Sequence, residues 1–119
     1  MGQVFPSPDC GNSPKNQFAQ AIAIAIEQGD RAYLEGAAHK DLKVISTQGQ
    51  SISSSQWLDD LQAVEAPLEI HIRDVSTHGK VGAVTGSTKL ASGAETRFCH
   101  TLRFATASAR QVLRIESFH

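Results

Sequence analysis

The second half of the chain alternates apolar and polar residues over four successive segments, and this pattern constrains the fold more than any other feature. The segments are "LEIHIRDVS", "KVGAVTGSTKL", "ETRFCHTLRFAT" and "RQVLRIESF". Their joints "THG", "ASG" and "ATASAR" are short. Side chains two residues apart share one face of a strand, and short joints connect antiparallel neighbours. The pattern therefore predicts an antiparallel meander of four strands.

The first half of the chain has the helical period instead. Ser13 is a suitable N-cap and Pro14 suits the first helical position, so a helix is predicted from there to a stop at Gly29. Asp30 is placed to cap a second, shorter helix. After it, "DLKVIST" changes to a period of two and predicts a further strand.

A third helix is predicted in "SSSQWLDDLQAV", which opens with a capping box formed by Ser53 and Gln56 and ends before Pro67. Its inner stripe is predicted to be Trp57, Leu58, Leu61 and Val64. Helices packed on one face of a curved sheet define an α+β fold.

Size, charge and cysteine use exclude several classes of protein. The chain has 119 residues, of which 40% are hydrophobic and 19% charged, as expected of one compact domain. Its formal charge is −1 without a basic run, so nucleic acid is not an expected partner. The apolar run at 21–26 is too short to span a membrane. We expect a flexible tail at 1–13, one domain at 14–119, reduced thiols at Cys10 and Cys99, and a cytoplasmic location.

The phase of the predicted strands decides which side chains meet the helices. In "RFCHTLRF", His100 shares a face with Phe98, Leu102 and Phe104. The residues predicted to face inward are Ile70, Ile72, Phe98, His100, Leu102, Phe104, Leu113, Ile115 and Ser117. A histidine is thus predicted on the apolar side of the sheet.

Three parts of the chain resemble the nuclear transport factor 2-like superfamily, within it the SnoaL-like and ketosteroid isomerase-like proteins. They are "AIEQGDRAYLEGAAHKDLKVIS", "KVGAVTGS", and "RFCHTLRF" followed by "VLRIESF", in the right order over residues 14–118. The resemblance implies a cystatin-like cone, in which a strongly bent, mainly antiparallel sheet wraps around three N-terminal helices. It also implies a cavity at the wide end and a homodimer formed through the outer face of the sheet.

The isomerase machinery of that family is not retained residue by residue. His100 matches the position of an acidic hydrogen-bond donor, whereas the catalytic carboxylate falls on Ser46 and the tyrosine donor on Ile22. A serine hydroxyl is far too weak a base to replace a carboxylate without an activating partner. Steroid isomerisation by the carboxylate–tyrosine route is therefore not expected.

Each candidate functional residue also has a structural interpretation. His100 is the best acid/base candidate, or else a hydrogen-bonded core histidine. Asp74 would point towards His100 if its strand were unbroken, but a bulge would turn it to solvent, because Val75 also requires burial. The predicted ligand-binding residues are Ile22, Tyr33, Ser46, Trp57, Phe98, His100, Leu102 and Ile115, although the aromatic ones also suit an ordinary core.

The residues indicate a small-molecule binding protein more than any other class. No histidines and cysteines have zinc-ligand spacing, and no phosphate-binding loop is present, so neither metal nor cofactor is expected. The preferred hypothesis is a cavity that binds a compact, largely apolar molecule, with cofactor-free proton transfer giving isomerisation, cyclisation, dehydration or hydration if the protein is an enzyme. The alternative is a non-catalytic dimeric interaction module with a filled cone.

Overall fold

The three predicted helices form where the capping signals place them. The computed structural model describes residues 2–11 and 13–119, and in it α1 is Pro14–Gln28, α2 is Arg31–Ala37 and α3 is Ser54–Ala63. The N-cap side chains of Ser13, Asp30 and Ser53 each accept a hydrogen bond from the backbone N–H three residues on. Gly29 ends α1 in the left-handed conformation, with φ +67°, which glycine adopts at low cost.

Within the part of the chain that the structure describes, seven strands form one mixed, mainly antiparallel sheet. They are β1 (Gln3–Phe5), β2 (Ala38–Ile45), β3 (Ser51–Ile52), β4 (Glu69–His78), β5 (Val81–Lys89), β6 (Glu95–Phe104) and β7 (Val112–Phe118). The order across the sheet is β1-β4-β5-β6-β7-β2-β3. The predicted meander is β4 to β7, while β1 pairs with β4 and β2 with β7 in parallel.

The inner face of the sheet wraps around α1, which gives the cone-shaped α+β fold expected from the sequence. Residues from α1 and from the inner face of the sheet form the core, including Ile22, Ala23, Ile70, Val84, Phe104 and Ile115. Helix α1 contacts β4 and β5 directly. Among the described residues, no helix has the length and apolar character needed to cross a membrane.

Part of the segment predicted as a flexible tail belongs to the sheet. Gln3–Phe5 pairs with β4, a short 3₁₀ helix follows at Pro8–Cys10, and Cys10 is buried. This strand was not predicted, because three residues are too few to show a period. Met1 and Asn12 lie outside the described residues.

Two bulges change the phase of the predicted strands. The register of β4 with β5 shifts between Ile72 and Asp74, so that Val75 is buried. The register of β6 with β7 shifts beside Phe104, which pairs with Val112. Val112 is therefore buried where Leu113 was predicted, and Leu113 is only half-buried.

The end of α3 also differs from the prediction. The helix stops at Ala63, and its C-cap residue Val64 has extended backbone and is 68% exposed. Of the capping box, only the bond from the Gln56 N–H to Ser53 Oγ forms (3.2 Å), because the Gln56 side chain donates to Asp60 instead.

Candidate functional site

His100 faces inward, as predicted, and is fully buried between two hydrogen-bonding partners. Its Nδ1 lies 2.8 Å from the Oγ of Ser117, the residue directly opposite on β7. Its Nε2 lies 2.6 Å from Oε2 of Glu27 on α1. Phe98 stacks on the ring with the centroids 5.0 Å apart. The neighbours Cys99 and Thr101 are half-buried, as expected for the other face of β6.

Glu27 is the centre of the site, although it was not among the residues predicted from the sequence. Its carboxylate also lies 3.1 Å from His119 Nε2, so both imidazoles share the single oxygen Oε2. Oε1 accepts no hydrogen bond from the described residues. The Glu27 side chain is only 9% exposed, whereas that of His119 is 42% exposed. We refer to Glu27, His100 and His119 as the Glu–His cluster.

Local sequence rules explain how these residues meet. Glu27 follows the buried Ala19 and Ala23 by eight and four residues, which places it on the buried face of α1. Ser117 and His119 are two residues apart at the end of β7, so they share the inner face. A carboxylate in the last turn of a helix is disfavoured by the helix dipole, and the two histidines offset this cost.

The electrostatics of the cluster favour an ionised carboxylate. Burial by itself raises the pKa of Glu27, but hydrogen bonds and positive charge from His100 and then His119 outweigh it and lower the pKa from 4.5 to about 2. The hydrogen bond to Glu27 raises the pKa of His119 above its ordinary value. An ionised Glu27 accepts from Nε2–H of both rings, so each neutral ring has its lone pair on Nδ1.

A cavity of about 290 Å³ opens beside the cluster. Most of its wall is apolar, and Glu27, Glu65 and His119 are its charged or titratable lining residues. The lining residues are Ile26, Glu27, Leu61, Val64, Glu65, Pro67, Thr88, Leu90, Thr96 and His119. His100 is not in the wall but lies behind Glu27.

The residues that were predicted to bind a ligand do not line this cavity. Ile22, Trp57, Phe98, Leu102 and Ile115 are buried core residues. Tyr33 is partly exposed on α2 and does not line the cavity.

Ser46 and Asp74 are both turned away from the cavity. Ser46 follows β2 and closes the turn to β3, where its Oγ accepts from the Gln50 N–H at 3.2 Å. The bulge in β4 exposes Asp74 on the outer face, where it accepts from Thr85 at 3.3 Å. The acid–histidine pair expected of an unbroken strand therefore does not form, and Glu27 takes the place of Asp74.

Solved structures with the same fold share little sequence with this chain. A nuclear transport factor 2-like protein of unknown function from Burkholderia xenovorans LB400 is 16% identical with a TM-score of 0.66, over 86% of this chain and 81% of that one. A candidate SnoaL-like polyketide cyclase from Shewanella putrefaciens CN-32 is 15% identical with a TM-score of 0.67, over 92% and 82%. An uncharacterised cystatin-fold protein from Novosphingobium aromaticivorans is 14% identical with a TM-score of 0.66, over 88% and 97%.

Comparison by sequence alone finds no match. No protein-family model matches the chain, and no curated protein matches it in sequence. The likeness in structure nevertheless confirms the architecture that the resemblance implied, with a bent mixed sheet around three helices. The chain has the nuclear transport factor 2-like fold.

Proposed function

We propose that the cavity binds a compact, largely apolar small molecule that carries one polar group. The proposal rests on the buried carboxylate of Glu27, which is hydrogen-bonded to the imidazoles of His100 and His119 and lies in the wall of a mostly apolar cavity. Ligand sites combine apolar walls with a few fixed polar groups in this way. An apolar cavity of about 150 Å³ accommodates benzene, so about 290 Å³ suits a molecule of two fused rings.

The polar contacts of the ligand follow from which atoms of the cluster remain available. Oε2 of Glu27 and Nε2 of His119 are joined by a hydrogen bond. Oε1 of Glu27 and Nδ1 of His119 have no hydrogen-bond partner among the described residues, and both side chains line the cavity. A hydroxyl on the ligand would therefore donate to either of these two atoms, whereas a carbonyl would accept from Nδ1–H of a protonated His119.

If the protein is an enzyme, we propose that His119 is its acid/base and Glu27 positions it. A carboxylate with a pKa of about 2 is too weak a base to remove a proton near neutral pH. His119 instead has Nε2–H fixed by Glu27, so Nδ1 accepts a proton when the ring is neutral and donates one when it is charged. This supports cofactor-free proton transfer, and the fold of a candidate polyketide cyclase agrees with an organic ligand.

Binding is tested with 1-naphthol and 2-tetralone, two-ring probes with a hydroxyl and a ketone. Calorimetric titration should show binding to the wild type and loss of binding in Thr96→Trp, which fills the cavity from its wall. Arg97→Trp is the matched control, because Arg97 is the next residue of β6, is exposed, and lies outside the wall. Equal binding by Thr96→Trp and the wild type would contradict the proposal.

Proton transfer is tested by deuterium exchange at the α-carbon of 2-tetralone in D₂O, followed by NMR. The wild type and Arg97→Trp should accelerate exchange over buffer, whereas His119→Ala should not. Exchange at the buffer rate with all three proteins would overturn the acid/base role while leaving the binding role intact.

The alternative function, an interaction module, shares one expectation with the first. We propose that the protein is a homodimer formed through the outer face of the sheet. We also propose that it works in the cytoplasm, where the thiols of Cys10 and Cys99 stay reduced. Light scattering after gel filtration tests the dimer. A dimer that binds neither probe and carries no co-purifying small molecule in native mass spectrometry would favour the module.

A further inference from the structure

The Glu–His cluster joins three potential metal ligands that are far apart in sequence. Glu27, His100 and His119 each offer one donor atom, and the three atoms lie within 4.8 Å of one another. Two imidazoles and one carboxylate are a common ligand set for divalent ions of the first transition series. The sequence-based expectation of no metal rested on spacing along the chain, which cannot detect such a set.

We propose that the Glu–His cluster binds one divalent first-row transition metal ion, of which Zn²⁺ is the type, through Glu27 Oε2, His100 Nε2 and His119 Nε2. The proposal goes beyond the binding of an organic ligand and does not depend on it.

The two distances from Glu27 Oε2 are close to those of a coordination sphere, and the donor atoms of the two histidines lie within 4.8 Å of each other. Ligand atoms 2.0–2.2 Å from a shared ion are separated by about 2.8–3.6 Å at octahedral or tetrahedral angles. Oε2 of Glu27 lies 3.1 Å from His119 and 2.6 Å from His100, so the carboxylate must move slightly away from His100. His119 follows β7 and is partly exposed, which allows its ring to adjust.

The surroundings of His100 are those of an oriented metal ligand. Ser117 Oγ lies 2.8 Å from Nδ1 and can accept its proton, which leaves the Nε2 lone pair free for the ion. The ring is fully buried and fixed by Phe98. On the other side of the cluster, the cavity leaves room for a water or a ligand atom in an open coordination position.

Metal binding and the hydrogen-bonded cluster exclude each other, because both use the same three atoms. When the ion binds to Nε2, the proton of each neutral ring moves to Nδ1. A ring that was already neutral therefore releases no proton. His119 Nδ1 then carries a hydrogen and no longer accepts a proton. Zn²⁺ should therefore suppress any metal-free proton transfer by His119.

The test is titration of the full chain with Co²⁺, read by visible absorption, with Zn²⁺ as competitor. The wild type should bind one Co²⁺ per chain, with the intense bands of a low-coordinate site that Zn²⁺ abolishes. Ser117→Ala should weaken binding by about 10–100-fold, because it removes the partner that orients His100. His119→Ala should lose saturable binding.

Two controls keep the test decisive. His78→Ala removes an exposed histidine outside the cluster and should bind Co²⁺ like the wild type. Thr96→Trp should lose 1-naphthol but keep Co²⁺, which separates failure of this proposal from failure of the organic site. Equal Co²⁺ affinity of folded His119→Ala and the wild type would overturn the proposal, as would weak, unsaturable binding to the wild type.

Discussion

Replacing Glu27 by Gln removes the charge of the cluster while keeping its shape. The amide oxygen still accepts one hydrogen bond, but the amide N–H₂ group cannot accept any. The carboxylate is largely buried, so solvent weakens its interactions with His100 and His119 little. We therefore expect a large and pH-dependent loss of stability in Glu27→Gln.

The magnitude follows from the lowered pKa of Glu27. A change from 4.5 to about 2 corresponds to about 3 kcal/mol of folding free energy at neutral pH, since each pKa unit is worth about 1.4 kcal/mol. This is an upper value, because the amide retains part of the hydrogen bonding. Because the folded pKa is below the unfolded one, the contribution is complete above pH 4.5 and disappears as the pH falls towards 2.

Urea denaturation of both proteins between pH 7 and pH 2 measures this contribution. The free energy of unfolding of Glu27→Gln should lie about 1.5–3 kcal/mol below that of the wild type at pH 6–7, and the two should converge near pH 2. Glu65→Gln is the matched control, because Glu65 lines the same cavity but is exposed. A difference between Glu27→Gln and the wild type that stays constant over this range would refute the reasoning.

Two further predictions concern His119 and Gly86. The raised pKa of His119 stabilises the fold below pH 6.5, and this stabilisation is lost as the pH rises through the pKa of the folded state. In denaturation experiments, the stability deficit of His119→Ala should therefore shrink at alkaline pH. A deficit that grows would contradict this, and His78→Ala is the control. Gly86→Ala should lower the unfolding free energy by about 3 kcal/mol, because the new Cβ would meet the backbone oxygen of His71. Gly36 lies on an exposed face of α2 with open space around it, so Gly36→Ala should instead raise the unfolding free energy by about 0.5–1 kcal/mol. Equal effects of the two substitutions would refute the packing argument.

The elements of the fold could be predicted because their signals are local. Ser13, Asp30 and Ser53 cap helices through bonds to residues three positions on, and alternation over nine or ten residues marks β4 to β6. The inward orientation of His100 followed from the same alternation. Strands of two or three residues, such as β1 and β3, are too short to show a period.

The site was harder to predict because it depends on contacts across the fold. Residue 27 meets residues 100 and 119 only after α1 has packed into the bent sheet. Two signals were nevertheless present. Glu27 continues the apolar face of Ala19 and Ala23, and His119 continues the phase of Ser117. The exposure of Asp74 could be expected locally, since the need to bury Val75 indicated a bulge, and the bulge at Arg73 reverses the faces of the residues that follow it.

The two outermost strands of the sheet are only three and two residues long. Short edges give another chain little to pair with, which protects a sheet from growing into larger aggregates. On one side this protection depends on Gln3–Phe5, which covers part of the ten-residue β4. Removing Gln3–Phe5 would uncover that backbone, so a truncated form should be more prone to self-association.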